Sequence, residues 1–297
     1  MKDTIVVRIK GGLGNQLYGY AFYTWLKVKY HDKTVKTDMD SLKIHVPHDG
    51  ITLDKVFPRI KLNQASGIEL LKITRELPII YRGPLKHRIN AGRQKINQKF
   101  FKQSYAVYKS DDDAIGVNDV EKMIEDGKRY LDSYWQDAEY FDQIKNEILP
   151  EFKFDLNNRE IFFENEIRCN NAVSVHVRRG DYVGSHFESD VGADYYRRAI
   201  EYINAKMPEA HFYFFSDDKE YIMQAFAWVK NKTIVSEYKG EDSYIDMYLM
   251  SLAPNSIIAN STFSVWAAYL NSNRNNNIVF PDIKYMERKK LKHWIGL

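Results

Sequence analysis

The amino-acid sequence predicts an α/β protein built as two Rossmann-like domains facing a cleft. Three observations lead there. Strand-like and helical stretches alternate through residues 172–280, and the chain opens on a strand, a glycine turn and a helix. Its 297 residues, 44% hydrophobic and 14% aromatic, supply core for two domains more readily than for one.

In chain order, TIVVRI (4–9) reads as a strand and GGLGN as a turn, followed by a helix with Leu17, Tyr20, Ala21, Thr24 and Val28 on one face. Past residue 38 the pattern blurs. A helical segment near 66–75, a polar and basic stretch at 85–104 and a helix near 117–127 are expected. Another helix ends before Pro150, and the charged "EFKFDLNNREIFFENEI" leads into a second sheet. The domains are therefore expected at 1–155 and 156–297. In the second, strands at 172–177 (AVSVHV), 211–215, 232–236, 256–259 and 277–280 interleave with helices near 194–207, 218–229, 242–252 and 262–271. Such alternation requires a parallel sheet covered on both faces. Asp194 is placed to cap the first of these helices, with Tyr195, Ala199, Tyr202 and Ile203 turned inward.

Composition narrows the function. With 43 basic against 40 acidic residues, the formal net charge of +3 argues against a nucleic-acid partner. The single cysteine, Cys169, allows neither an internal disulfide nor a multi-cysteine metal site, and fits a reducing compartment. The N-terminal apolar run is too short for a signal peptide, and no stretch approaches the roughly 20 apolar residues of a membrane span. A cytoplasmic location is expected. The stretch 85–104 carries Lys86, Arg88, Arg93, Lys95, Lys99 and Lys102 without an acid, echoed by Lys284 to Lys292. Such a stretch is ordinarily a solvated face; its functional alternative is peripheral contact with the inner face of an anionic membrane.

In a doubly wound sheet, ligands bind outside the carboxyl ends of the strands. Three such ends stand out: His176-Val177-Arg178-Arg179-Gly180-Asp181, then Ser216-Asp217-Asp218, then Asn260-Ser261-Thr262-Phe263-Ser264 at a helix start. Arginine offers a fixed fork of donors matched to a diphosphate. A helix N-terminus with serine and threonine hydroxyls can cradle phosphate, and a carboxylate such as Asp217 can accept from a ribose or a base edge. Taken singly, each is also an ordinary cap, turn or surface ion pair. Their shared location favours a nucleotide site. At the other end, "GGLGNQLYG" (11–19) fails the dinucleotide fingerprint, because position 17 is Leu17 and not glycine. Gly12 still permits close backbone approach, and Asn15 and Gln16 put amide donors at the helix start, although a tight turn alone would explain them.

"VVRIKGGLGNQLYGYAFYTWL", "HDGITLDKVF", "VSVHVRRGDYV", "FYFFSDD" and "NSTFSVWAAYLN", in this order, resemble the family 11 glycosyltransferases, the α-1,2-fucosyltransferases, in their short bacterial form. The resemblance runs from residue 4 to about residue 282. It implies a GT-B-type architecture and an inverting galactoside 2-α-L-fucosyltransferase that needs no metal or other cofactor. The C-terminal domain would hold the donor GDP-fucose. The acceptor, a galactose-terminated oligosaccharide or lipid-linked glycan, would enter from the N-terminal one. Carried over by position, Arg178 would bind the β-phosphate, with His176, Arg179 and Asp181 shaping the loop. Asp217 would contact the guanosine, and Asn260, Ser261, Thr262, Phe263 and Ser264 would close around the phosphates. Gly12, Asn15 and Gln16 would face fucose and acceptor. Inversion calls for a base to take the acceptor proton, and His186, Glu188 and Asp181 are the candidates. Tyr18, Tyr134 and Trp135 are available to stack on a sugar, though core packing is their commoner use. The competing expectations are a fucosyltransferase of another linkage or donor sugar, and a non-catalytic nucleotide- or carbohydrate-binding protein.

Overall fold

The computed structural model describes residues 3–43, 52–77, 85–100, 104–156, 159–180, 184, 191–235, 237–271 and 277–297. They form two compact units, Met1–Lys153 and Phe154–Leu297, so the division falls just after Lys153 where the sequence suggested residue 155.

The first unit is built on four parallel strands: β1 (Thr4–Arg8), β2 (Thr34–Asp38), β3 (Val107–Lys109) and β4 (Tyr130–Asp132), in the order β2-β1-β4-β3. Its helices are α1 (Leu13–Lys29), α2 (Leu53–Val56), α3 (Gly67–Thr74), α4 (Lys86–Phe100), α5 (Val117–Glu125) and α6 (Ala138–Ile148). β1 is central, and its Ile5, Val6 and Val7 are wholly buried, as expected of a strand covered on both faces. α1 is buried almost all round because it lies between the sheet and α6: Trp25 donates to Gln143 Oε1 at 2.6 Å, and Phe22 stacks on Trp135 at 3.9 Å between ring centroids. The single inward face expected of this helix is thus too narrow, and Val28, placed on that face, is exposed. Tyr18 and Trp135 belong to the core and are not free to stack on a sugar.

The second unit holds six parallel strands: β5 (Ala172–Val177), β6 (His211–Ser216), β7 (Lys232–Val235), β8 (Asn255–Ile257), β9 (Ile278–Phe280) and β10 (Ile295–Gly296). Their order, β7-β6-β5-β8-β9-β10, is third-second-first-fourth-fifth-sixth along the chain, the Rossmann order, with its reversal between β5 and β8. The helices are α7 (Glu164–Ile167), α8 (Ala193–Lys206), α9 (Lys219–Ala225), α10 (Tyr244–Leu252) and α11 (Thr262–Tyr269). Val173, Val175, Phe212 and Phe214 pack with Tyr195, Ala199, Ile200 and Ile203 of α8 into one core. Asp194 is not the cap of α8: the helix starts at Ala193 with Gly192 as N-cap. Asp194 instead stands in the first turn, where its charge complements the helix dipole.

Candidate active site

β5 delivers the first of the three strand ends. All six of its residues are buried, and Val177 is in register with Ser216 of β6, so Arg178 emerges beside Asp217. Asp217 Oδ2 lies 3.0 Å from Arg178 Nη1, and Asp217 Oδ1 accepts the Arg179 N–H at 3.0 Å. One carboxylate therefore ties down two consecutive residues of the arginine loop. Gly180 makes room for this, because a Cβ there would fall 2.3 Å from Asp217 Oδ2. Arg179 stacks over the Tyr221 ring at 4.1 Å and sits 3.8 Å from Asp218 Oδ2. Asp218 also caps α9 by accepting from Tyr221 N at 2.9 Å. The loop is preorganised by side chains from two elements.

His176 holds the inner side. Its carbonyl accepts from the Tyr196 hydroxyl at 3.0 Å, and its ring lies 5.9 Å from that of Phe263 in α11. Burial, helped by the Arg178 charge, pulls its pKa down to about 3, so the imidazole is neutral. Its Nδ1 is buried without a hydrogen-bond partner among the described residues.

The third strand end lies on the other side of β5, where Val175 pairs with Ile257 of β8. Ser261 is the N-cap of α11 and accepts from Phe263 N at 3.3 Å. Asn260 is buried, while Thr262 and Phe263 are half-buried. Ser264 departs from expectation: it is fully buried, and its hydroxyl faces the Ala259 and Ser261 carbonyls at 3.5 and 3.2 Å, so it braces the helix start. The structure thus brings Arg178, Arg179, Asp217 and the α11 N-terminus to the switch point of one sheet. Asp217 takes both arginines of the loop as partners.

In the first unit, Gly11 adopts φ +85°, which favours glycine, and Gly12 is the N-cap of α1. Gln16 does not face a ligand. It is fully buried, donating to the Gly11 carbonyl at 3.0 Å and accepting from Leu53 N at 3.0 Å, and so clamps the turn onto α2. Asn15 is half-buried and accepts from Gln136 Nε2 at 2.8 Å. At the carboxyl ends of β1 and β4, the buried Asp132 receives Arg8 at 2.8 Å and Lys10 at 2.7 Å, and Tyr130 donates to Asp38 at 2.7 Å.

The model of glycosyl transferase family 11 matches residues 4–297. The chain belongs to glycosyl transferase family 11. This glycosyltransferase is 32% identical over 312 residues to the O-antigen biosynthesis glycosyltransferase WbnK of Escherichia coli, covering 97% of this chain and 99% of that one. It is 30% identical over 300 residues to an alpha-1,2-colitosyltransferase of Escherichia coli, covering 97% and 94% of the two chains. Among solved structures it resembles NodZ alpha-1,6-fucosyltransferase soaked with GDP-fucose, with TM-score 0.50, 14% identity and coverage of 96% and 97%. That likeness shows the fold, which is of the GT-B type.

Asp181, His186 and Glu188 of the glycosyltransferase lie outside the described residues. Sequence reasoning gave Gly180 no role of its own and missed the Arg8–Asp132–Lys10 cluster and Asp246. The last lies in the first turn of α10, with Oδ1 buried and unpartnered among the described residues. Burial, then the nearby Glu237, push its carboxyl up to about 8. The available signal was an acid set among the apolar Ile245, Met247 and Leu249.

Proposed function

We propose that this glycosyltransferase moves L-fucose from GDP-fucose to the 2-hydroxyl of a terminal galactoside, with inversion and without a divalent cation. The observation that carries the reading is the Arg178–Asp217–Arg179 loop beside the N-terminus of α11, at the switch point of a Rossmann-ordered sheet. Breaking the fucose–GDP bond leaves negative charge on the β-phosphate. Fixed donors aimed at developing charge are usually the largest catalytic contribution. Arg178 takes that role, steadied by Asp217, while the free N–H groups of α11 face the same charge. Neutral His176 closes the inner wall without adding a charge of its own. The second unit is accordingly the donor side and the first the acceptor side, with Gly12 and Asn15 of the glycine turn facing the sugar. His186, Glu188 and Asp181 are the candidates for the base.

The acceptor in this reading is a galactose-terminated oligosaccharide or its lipid-linked form; the 32% identity to an O-antigen biosynthesis glycosyltransferase supports a place in O-antigen assembly. A second reading, transfer of colitose, is favoured by the 30% identity to a colitosyltransferase. Both readings share the nucleotide site. The test is incubation of purified protein with GDP-fucose or GDP-colitose, EDTA and a panel of galactosides, followed by mass and linkage analysis. An α-1,2-fucosylated galactoside is expected; transfer of neither sugar, or a different linkage, would refute the reading. Rate against pH for His186→Ala and Glu188→Gln distinguishes the bases, since loss of the base changes the acidic limb.

A further inference from the structure

α4 is amphipathic in an unusual sense. Its sequence, KHRINAGRQKINQKF, has no acid, and none occurs anywhere in 85–104. The face turned to the protein is polar: Lys86, Asn90, Arg93 and Asn97 recur at helical spacing and are half-buried. Asn97 fastens it there, accepting from Leu77 N at 2.9 Å and donating to the Leu77 carbonyl at 3.4 Å. The apolar residues lie about a quarter turn round the helix from that face. Leu85, Ile89 and Ile96 are 56%, 41% and 42% exposed, and at 3.6 residues per turn they fall within about 40° of one another. Leu85 belongs to the same turn, since its carbonyl accepts from Ile89 N at 3.0 Å. Gly92 lies on the stripe too, and a Cβ added there would meet nothing within 4 Å. Arg88 and Lys95 flank the stripe and are exposed.

A soluble helix ordinarily docks by its apolar stripe and shows its charges to water. Here the docked face is polar, and the apolar stripe is left at the side of the helix next to the exposed Arg88 and Lys95. We infer that α4 is a membrane-surface helix: it lies flat on an anionic bilayer, with Leu85, Ile89 and Ile96 entering the acyl boundary and Arg88 and Lys95 pairing with lipid phosphates. The charge pattern selects this occupant. A second copy on a two-fold axis would set Arg88 and Lys95 against their own like charges. An anionic surface instead attracts every charge on the helix, and long basic side chains can lay their stems along the apolar stripe while their heads reach the headgroups. Among the described residues no helix is long and apolar enough to cross a membrane, so this contact lies on the surface. It does not depend on which sugar is transferred.

The test is co-sedimentation of the full chain with vesicles of phosphatidylcholine alone or mixed with phosphatidylglycerol. Wild type should bind the anionic vesicles, less so as salt rises, and should leave the neutral ones largely unbound. I89S/I96S and R88Q/K95Q should each lower the partition coefficient at least about tenfold, with the melting temperature unchanged because all four side chains are exposed. G92L, which completes the stripe, should raise it by on the order of tenfold. Absence of wild-type binding to anionic vesicles would overturn the inference, as would wild-type affinity in I89S/I96S or no gain in folded G92L. A wild-type dimer in sedimentation velocity that I89S/I96S dissolves would show instead that a second copy covers the stripe.

Discussion

Replacing Gly180 by alanine adds one methyl group at the most crowded point of the candidate site. Its carbon would stand 2.3 Å from Asp217 Oδ2, where ordinary contact begins near 3.4 Å, so the carboxylate must retreat by about 1 Å. The atom displaced is the end of a side chain, and the backbone there has a φ that alanine accepts, so the fold can yield cheaply. What is lost is the 3.0 Å pairing with Arg178. The two side chains are 22% and 32% exposed, and a pair that open to solvent contributes under about 1 kcal/mol to stability, roughly 2–4 °C or less in melting temperature. Catalysis should respond far more strongly. A misplacement of about 1 Å in a group that meets developing charge costs on the order of a hundredfold in rate. The assay is kcat/KM for GDP-fucose at saturating acceptor, beside a thermal melt. Wild-type kcat/KM in G180A would refute the reasoning, and so would a collapse of the melt, since the glycine would then be serving the fold.

Three further outcomes are expected. His176 has its pKa pulled to about 3 against 6.5 when unfolded, so the unfolded chain binds the extra proton between those values. Its contribution to stability is full above pH 6.5 and is lost as pH falls toward 3, by about 2 kcal/mol between pH 6.5 and 5; urea unfolding of H176N should lack that loss relative to wild type. Asp246 works in the opposite sense. With its carboxyl at about 8 against 3.8 unfolded, the folded state holds the proton and loses relative stability as pH rises through that window. D246N should therefore gain on wild type by up to about 4 kcal/mol from pH 5 to 8, and parallel stability curves would contradict it. Gln16→Ala removes a buried amide that serves two backbone groups, and should cost about 2–3 kcal/mol in a denaturant melt; a loss of activity with full stability would return Gln16 to the ligand side.

The second sheet was legible because its central strands are buried on both faces. AVSVHV and HFYFFS are nearly continuous apolar or aromatic runs, and such runs read plainly. The first sheet was not. β2 reads TVKTD, with one aliphatic residue in five, and β3 and β4 are three residues each, too short to show a period. α4 escaped notice as a helix because its inward face is polar, the reverse of the pattern that identifies surface helices. In the site, the strand ends could be picked out by their position after each run. The partners could not: an acid after a strand does not say which neighbour it will meet, and only the register of β5 on β6 brings Asp217 to Arg178. Gln16 was assigned to a sugar for a similar reason, since an amide at a helix start serves a ligand and a backbone turn equally well.

The central claim is that a nucleoside diphosphate is gripped at the carboxyl edge of the second sheet by an arginine loop and a helix start. A crystal structure of the protein with GDP, grown in the presence of EDTA, tests it directly. The account predicts that the β-phosphate lies within hydrogen-bond reach of the Arg178 guanidinium and the first N–H groups of α11, with Asp217 still holding the arginine loop. A diphosphate bound away from Arg178, or with Arg178 swung out to solvent, would contradict it.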